Sequence, residues 1–332
     1  MKKIEQPQVK KWLGKISKQK IFVIGDAMLD CYWQGSVQRI SPEAPVPVLQ
    51  VLNKYERLGG AANVALNCRK LGAEVHLFTV LGKDLSGKTM LSLLEQEGIH
   101  TDGCLVEKER ITTTKTRVMA KHQQMMRIDE EVSEEISTRI EHHFIDVVMR
   151  AIQIDAPDII IFEDYNKGLL LPNAIQKIIT HAKELQCFVA VDPKKANFFS
   201  YTGVDVFKPN LKEVREALPE LSITPDKSSL KKAHTALQNK INHQITLITL
   251  SEHGIFSEHQ QEVVMLPAHV RQIADVSGAG DTVIAVFAAC FKASNNLAWA
   301  TQAANLAGGL VCETVGVHPI NKVHLVNELM KL

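Results

Sequence analysis

The run DVSGAGDT at 275–282 combines a turn of small residues with an acid placed where a helix begins. Gly278, Ala279 and Gly280 lead into the apolar stretch TVIAVFAAC, so the free backbone N–H groups and the positive end of the helix dipole face one space. An anion fits there, and small residues let its oxygens approach the backbone. Asp281 falls in the first helical turn, where a carboxylate can take a proton from a hydroxyl attacking a phosphoryl group. An acid at a helix start also serves as a plain partner for the dipole, and local chemistry leaves both roles open.

Such residues need a scaffold that brings distant segments to one edge. Buried-strand runs occur at KIFVIGD (20–26), EVHLFTV (74–80), DIIIF (158–162), FVAVD (188–192), VDVFK (204–208) and ITLITL (245–250). Helical patterns separate most of them, which predicts an α/β fold with a mostly parallel sheet covered on both faces. VPVLQVL (46–52) and the pair CLVEK and TTTKTRVMA (104–120) break the alternation. They are expected to form a small accessory sheet, with lid strands contributed by about 31–56 and 102–128, that covers a cleft or pairs with a second subunit; ordinary edge strands are the alternative. The polar stretch 1–19 is expected to be a leader with a short amphipathic helix, and 20–332 one domain ending in two closely packed helices.

Composition excludes several classes. The 332 residues are 45% apolar, enough for a full core, and the 38 basic residues nearly cancel the 37 acidic ones. No global field therefore draws the chain to nucleic acid or to an anionic membrane. The six cysteines (31, 68, 104, 187, 290 and 312) form no C-x-x-C pair, the 13 histidines show no metal-ligand spacing, and His142 with His143 reads as a solvated helix face. No run stays apolar for about 18 residues and the N-terminus lacks the core of a signal peptide, so a soluble, cytoplasmic protein with reduced thiols is expected.

DVSGAGDT closely resembles the C-terminal signature of the ribokinase-like sugar kinases, the PfkB family. RLGGAANVALNCRKLGA (57–73) is similar to that family's N-terminal signature, KPNLKEV (208–214) to its N-x-x-E element, and GDAMLD (25–30) to the strand end that delivers a sugar-binding aspartate. A narrower resemblance lies in ISPEAPVPVLQV (40–51), TKTRVMA, DPKK (192–195) and DVSGAGDTVIA. These look like the bacterial kinase domains that phosphorylate C1 of D-glycero-β-D-manno-heptose 7-phosphate on the route to ADP-heptose and the lipopolysaccharide core. In many organisms that domain is fused to a nucleotidyltransferase; this chain has room for the kinase domain alone, and a stand-alone or truncated kinase is expected.

The resemblance implies a ribokinase-like fold with a β-sheet lid, ATP and Mg2+ as cofactors, a sugar-phosphate substrate and a homodimer formed through the lid. It implies that Gly278, Ala279 and Gly280 form an anion hole for the transferring γ-phosphoryl group and that Asp281 is the base. Asp30, Gly59, Gly60 and Asn63 are expected at the sugar, with Asp26 as an alternative grip or a turn cap. Arg57, Lys115 and Arg117 are candidates for the phosphate the substrate already carries; Lys115 and Arg117 alternate along one strand and share a face. Asn210 and Glu213 are expected to order the metal through water, with Lys208, Lys194 and Asp192 around the nucleotide phosphates. Where family members often show Thr-x-Gly-x-x-Gly, this chain has TLSEHG (249–254), which leaves Thr249 and Ser251 less defined; Asn305 is expected either at the adenine or packed between helices. Asp30 and Asn63 also suit other polyols such as a fructose phosphate, and a catalytically inactive nucleotide-binding scaffold is a further reading.

Overall fold

The computed structural model describes residues 6–121, 123–269 and 273–331. Helix α1 (Gln6–Ile16) opens them, and its apolar stripe of Val9, Trp12, Leu13 and Ile16 is buried, with the Trp12 ring centroid 4.6 Å from that of Trp299. The expected leader is thus part of the core, because its apolar residues recur at helical spacing and find a partner surface; residues 1–5 of it lie outside the described residues.

The chain then runs β1 (Lys20–Gly25), β2 (Ala27–Ile40), β3 (Pro47–Gly60), α2 (Ala61–Leu71), β4 (Glu74–Gly82), α3 (Leu85–Gln96) and β5 (His100–Glu107). Next come β6 (Thr114–Ala120), β7 (Gln123–Glu130), α4 (Thr138–Asp155), β8 (Ile159–Glu163), α5 (Pro172–Glu184) and β9 (Phe188–Asp192). The remainder is β10 (Val206–Phe207), α6 (Leu211–Ala217), α7 (Lys227–Ile241), β11 (Ile245–Thr249), β12 (Ile255–His259), β13 (Glu262–Leu266), α8 (Ala279–Ser294), α9 (Leu297–Val311) and α10 (Lys322–Leu329). Among the described residues no helix is long and apolar enough to cross a membrane.

Among the described residues nine strands form the main sheet in the order β13-β12-β11-β10-β9-β8-β1-β4-β5, parallel except for the terminal β12–β13 hairpin, which the sequence pattern did not reveal. Alternation along β1 divides the core: Ile21 and Val23 face one apolar layer with α1, α2, α8 and α9, while Phe22 and Ile24 face the other with α4, α5 and α7. A doubly covered parallel sheet follows, and the carboxyl ends of its strands collect at one rim.

The second sheet has the order β3-β2-β6-β7. Its strands span 27–40, 47–60, 114–120 and 123–130, which corrects the expected lid limits of 31–56 and 102–128. CLVEK (104–108), expected in the accessory sheet, lies almost wholly in β5 of the main sheet instead. The reason is α3: a helical crossover returns the chain parallel to β4, pairing Thr79 with Cys104 and Leu81 with Val106. In the small sheet, register places Arg57, Asp30, Lys115 and Asp129 in one row and Tyr55, Tyr32, Arg117 and Arg127 in the next. Directly paired residues share a face, so this face of the lid is strongly charged.

Candidate active site

Helix α8 is preceded by its cap Gly278, whose φ of 77° is left-handed and whose Cβ, if present, would lie 2.7 Å from Asn63 Nδ2. Glycine is required on both counts. One turn on, Asp281 is 3% exposed and accepts two hydrogen bonds, from Asn63 Nδ2 to Oδ2 at 2.8 Å and from Tyr165 Oη to Oδ1 at 2.9 Å. Burial pushes its pKa up, the two donors pull it back, and the charge of Asp192 adds to the rise. A carboxylate whose basicity is raised while its oxygens are oriented is suited to accept a proton. Asn63 is itself aimed by Asn67, which donates to Asn63 Oδ1 at 3.1 Å and to its carbonyl at 2.9 Å.

Beside the helix start, the strand ends supply a charged cluster. Lys208 Nζ lies 2.7 Å from Asp192 Oδ2; Lys194 Nζ lies 3.3 Å from Asp192 Oδ1 and 3.1 Å from Glu213 Oε1. A Cβ on Gly280 would stand 3.6 Å from Lys208 Nζ and 3.7 Å from Asp192 Oδ2, so this cluster adjoins the first turn of α8. Burial would raise Asp192, yet Lys194 and Lys208 hold it below the usual carboxylate range; Lys194 is pushed up despite burial by Asp192, Glu213 and Glu163. Two ammonium groups and a helix N-terminus converging on one rim can neutralise phosphate oxygens.

Asn210 and Glu213 were expected to point to one place; they close on each other. Asn210 Oδ1 accepts from the Glu213 N–H at 2.9 Å and Glu213 Oε2 accepts from the Asn210 N–H at 2.8 Å, a reciprocal cap on α6. Glu213 Oε1 still meets Lys194, which ties the cap into the phosphate-side cluster. Thr249 pairs with Asn210 through an isolated parallel bridge. Ser251 adopts φ 53°, the left-handed region, at the position where the resemblance expects glycine. Asn305 donates to the Pro267 carbonyl at 2.9 Å, binding α9 to the chain after β13, a packing role.

Among the residues expected at the sugar, Asp30, 2% exposed, is ion-paired with Arg117, and burial pushes its pKa up against the pull of that guanidinium. A Cβ on Gly59 would lie 2.2 Å from Asp30 Oδ2, so only glycine leaves the carboxylate its place; Gly60 precedes α2 at φ 56°. Asp26 takes the turn role, accepting from the backbone N–H groups of Tyr165 at 2.8 Å and Lys167 at 3.1 Å, with a pKa raised to about 6 by burial and then by Asp164. The other cationic candidates are also engaged. Lys115 pairs with Glu131 at 3.0 Å and Asp129 at 3.4 Å. Arg57 lies over the Tyr32 and Tyr55 rings and donates to the Val317 carbonyl at 2.9 Å, while Tyr32 Oη accepts from Val317 N at 2.8 Å. The lid is thereby latched to the segment after α9.

A profile of the pfkB family carbohydrate kinases matches residues 18–322. The chain belongs to this family. It is 40% identical over 299 residues to the bifunctional protein HldE of Helicobacter pylori strain J99, covering 90% of this chain and 64% of that protein. It is 40% identical over 310 residues to the HldE of Methylobacillus flagellatus, covering 93% and 63%. The chain thus spans somewhat under two thirds of the relatives it matches. The fold is similar to phosphofructokinase-2 of Escherichia coli (TM-score 0.78, 16% identity, 94% of this chain and 98% of that one). It is also similar to the Arabidopsis thaliana ribokinase solved with ribose and ATP (TM-score 0.71, 19% identity, 95% and 99%).

Two residues beside the candidate base were missed by sequence reasoning. Tyr165, whose hydroxyl burial and then Asp281 hold well above its ordinary pKa, is a donor to the candidate base. Glu163 ends β8 with 0% exposure, and one of its oxygens lies within 4.8 Å of oxygens of Asp192 and Asp281. The signal available was EDY (163–165) directly after a buried strand, at the rim where such sheets bind ligands.

Proposed function

We propose that this kinase transfers the γ-phosphoryl group of ATP to the C1 hydroxyl of D-glycero-β-D-manno-heptose 7-phosphate, yielding the 1,7-bisphosphate for ADP-heptose and lipopolysaccharide core synthesis. The observation that carries the chemistry is Asp281, buried at the mouth of α8 between Asn63 and Tyr165. The choice of sugar rests on the ISPEAPVPV segment joining β2 to β3.

In this reading Asp30 with Arg117, Gly59, Gly60 and Asn63 orient the heptose, and the lid row of Arg57 and Lys115 faces its 7-phosphate. Asp281 takes the C1 hydroxyl proton as that oxygen bonds to the γ-phosphorus and the bond to the β–γ bridging oxygen breaks, releasing ADP. The N–H groups at 278–280, with Lys194 and Lys208, meet the charge on the transferring group. The hard oxygen donors of Asp192 and Glu213 beside them fit Mg2+, which supplies neutralisation of nucleotide charge when bound; Glu213 would reach it through water. Exposed Ile40, Val46, Val51, Leu52, Met126 and Ile128 on the lid support a homodimer through this sheet, and an ATP-dependent reaction suits the cytoplasm.

The test is turnover of purified protein with ATP and a panel of sugar phosphates. Heptose 7-phosphate is expected to give the highest kcat/KM. Faster turnover of a fructose phosphate would move the assignment to another sugar kinase, and no turnover on any sugar phosphate would favour a nucleotide-binding scaffold.

A further inference from the structure

The carboxyl ends of the parallel strands carry the candidate active site; at the opposite rim, where the strands begin, β4 and β5 bring together two histidines and a glutamate. Glu74 and His76 alternate along β4 and so share a face, and His100 opens β5 directly beside His76 in the parallel register. The sequence shows no metal-ligand spacing here because the α3 crossover separates the two strands. One ligand atom from each of the three side chains lies within 4.8 Å of the others.

Part of this set already has the spacing of a coordinated metal. His76 Nε2 stands 3.2 Å from Glu74 Oε1. Ligands about 2.0–2.1 Å from a tetrahedral zinc ion lie roughly 3.3 Å apart. The His76 and His100 rings stack with centroids 4.2 Å apart and planes at 17°. A metal sits in the plane of each imidazole it takes, so His100 has to swing about its side-chain bonds. It is exposed on the edge strand, beside the register shift between His76 and Phe78, and has room to do so. Lys20 contacts Glu74 Oε1 at 3.4 Å but is held more closely by Asp155 at 2.7 Å, so Glu74 can turn to a metal without stranding the ammonium group. Two carboxylates against one lysine leave these ion pairs a formal excess of one negative charge.

We propose that Glu74, His76 and His100 form a surface site for a transition-metal dication of the Zn2+ class, with one coordination position left to water. Two imidazoles and one carboxylate suit zinc, whereas Mg2+ and Ca2+ favour oxygen ligands throughout. The ion ties edge strand β5 to β4, whichever sugar the cleft takes.

Calorimetric titration of the chelator-treated full chain with Zn2+ tests the site apart from turnover. Excess Mg2+ occupies hard-oxygen sites and a phosphine keeps the cysteines reduced; Zn2+ held by cysteines appears equally in every variant. One equivalent is expected to weaken at least about tenfold in H100Q and in E74Q, since even a supporting partner of a metal ligand matters on that scale. Zn2+ should raise the Tm of the wild type but not that of H100Q. Both substituted side chains are exposed, so both variants are expected to fold, and their Tm without Zn2+ checks it. MgATP-dependent turnover without Zn2+ should be unchanged in both. No Zn2+ bound by the wild type, or native Zn2+ affinity in either variant, would overturn the site and leave the histidines as a stack beside Phe22. Neither result bears on the heptose assignment, which the sugar-phosphate panel decides.

Discussion

Asn63 and Asp281, 218 positions apart, meet through a 2.8 Å hydrogen bond from Nδ2 to Oδ2. The contact joins the first turn of α2 to the first turn of α8, so the residues proposed to hold the sugar and those proposed to hold the transferring phosphoryl group meet at one carboxylate. If that carboxylate is the base, Asp281→Asn should lower kcat by at least about 10²-fold while ATP affinity stays within a few-fold. Steady-state kinetics with calorimetric nucleotide titration would show it; a variant with near-native kcat would remove Asp281 from the chemistry.

Tyr165 should tune the same group. Its hydroxyl favours the charged form of Asp281, so Tyr165→Phe should raise the pKa of the base and move the acid limb of the kcat/KM profile to higher pH. Asn63→Leu should move it the same way. An unshifted limb, measured across pH 5 to 9 with both variants folded, would mean these donors do not act on the base.

Arg117 and Asp30 form a buried ion pair in the lid. Removing one partner strands the other, and Arg117→Met should cost about 3–5 kcal/mol of stability and raise KM for the sugar. Asp30→Leu with Arg117→Met should recover much of the stability without recovering activity. Urea denaturation of the single and double variants separates the structural share from the binding share.

At Gly59 a methyl group would lie 2.2 Å from Asp30 Oδ2. Gly59→Ala is therefore expected to displace that carboxylate and reduce kcat/KM for the sugar by about 10²-fold, leaving nucleotide binding unchanged. Equal losses of sugar and nucleotide affinity would point to a wider collapse.

Stability should also respond to pH through His243, buried beside Thr246, where burial and then His234 lower its pKa to about 3. The unfolded chain binds a proton near the ordinary 6.5 and the folded one does not until about pH 3, so the stability present above 6.5 is progressively lost across that window. Denaturant titrations at stepped pH would reveal it, and His243→Leu should flatten the slope.

Much of the fold was legible in sequence because it depends on local pattern. Continuous apolar runs marked β1, β4, β8, β9 and β11, and the small residues before an apolar helix marked Gly278 to Asp281. CLVEK was misplaced because five apolar-rich residues do not say which sheet will take them; the crossover through α3 decided that. The spacing of Asn210 and Glu213 suits convergence on a ligand and a reciprocal helix cap equally well, and only backbone geometry distinguished the two. Ser251 shows the reverse, a sequence departure whose glycine-like φ of 53° appears only in three dimensions.

By itself the sequence determined the α/β class, the small-residue helix start with its acid, and the resemblance to pfkB kinases, since each resides in contiguous residues. Tertiary structure decided what Asp281 touches. Glu163 ends a strand whose neighbours come from far along the chain and Tyr165 follows two residues on, and a hydrogen bond or an unpartnered buried carboxyl group exists only once β8, β9 and α8 share one rim.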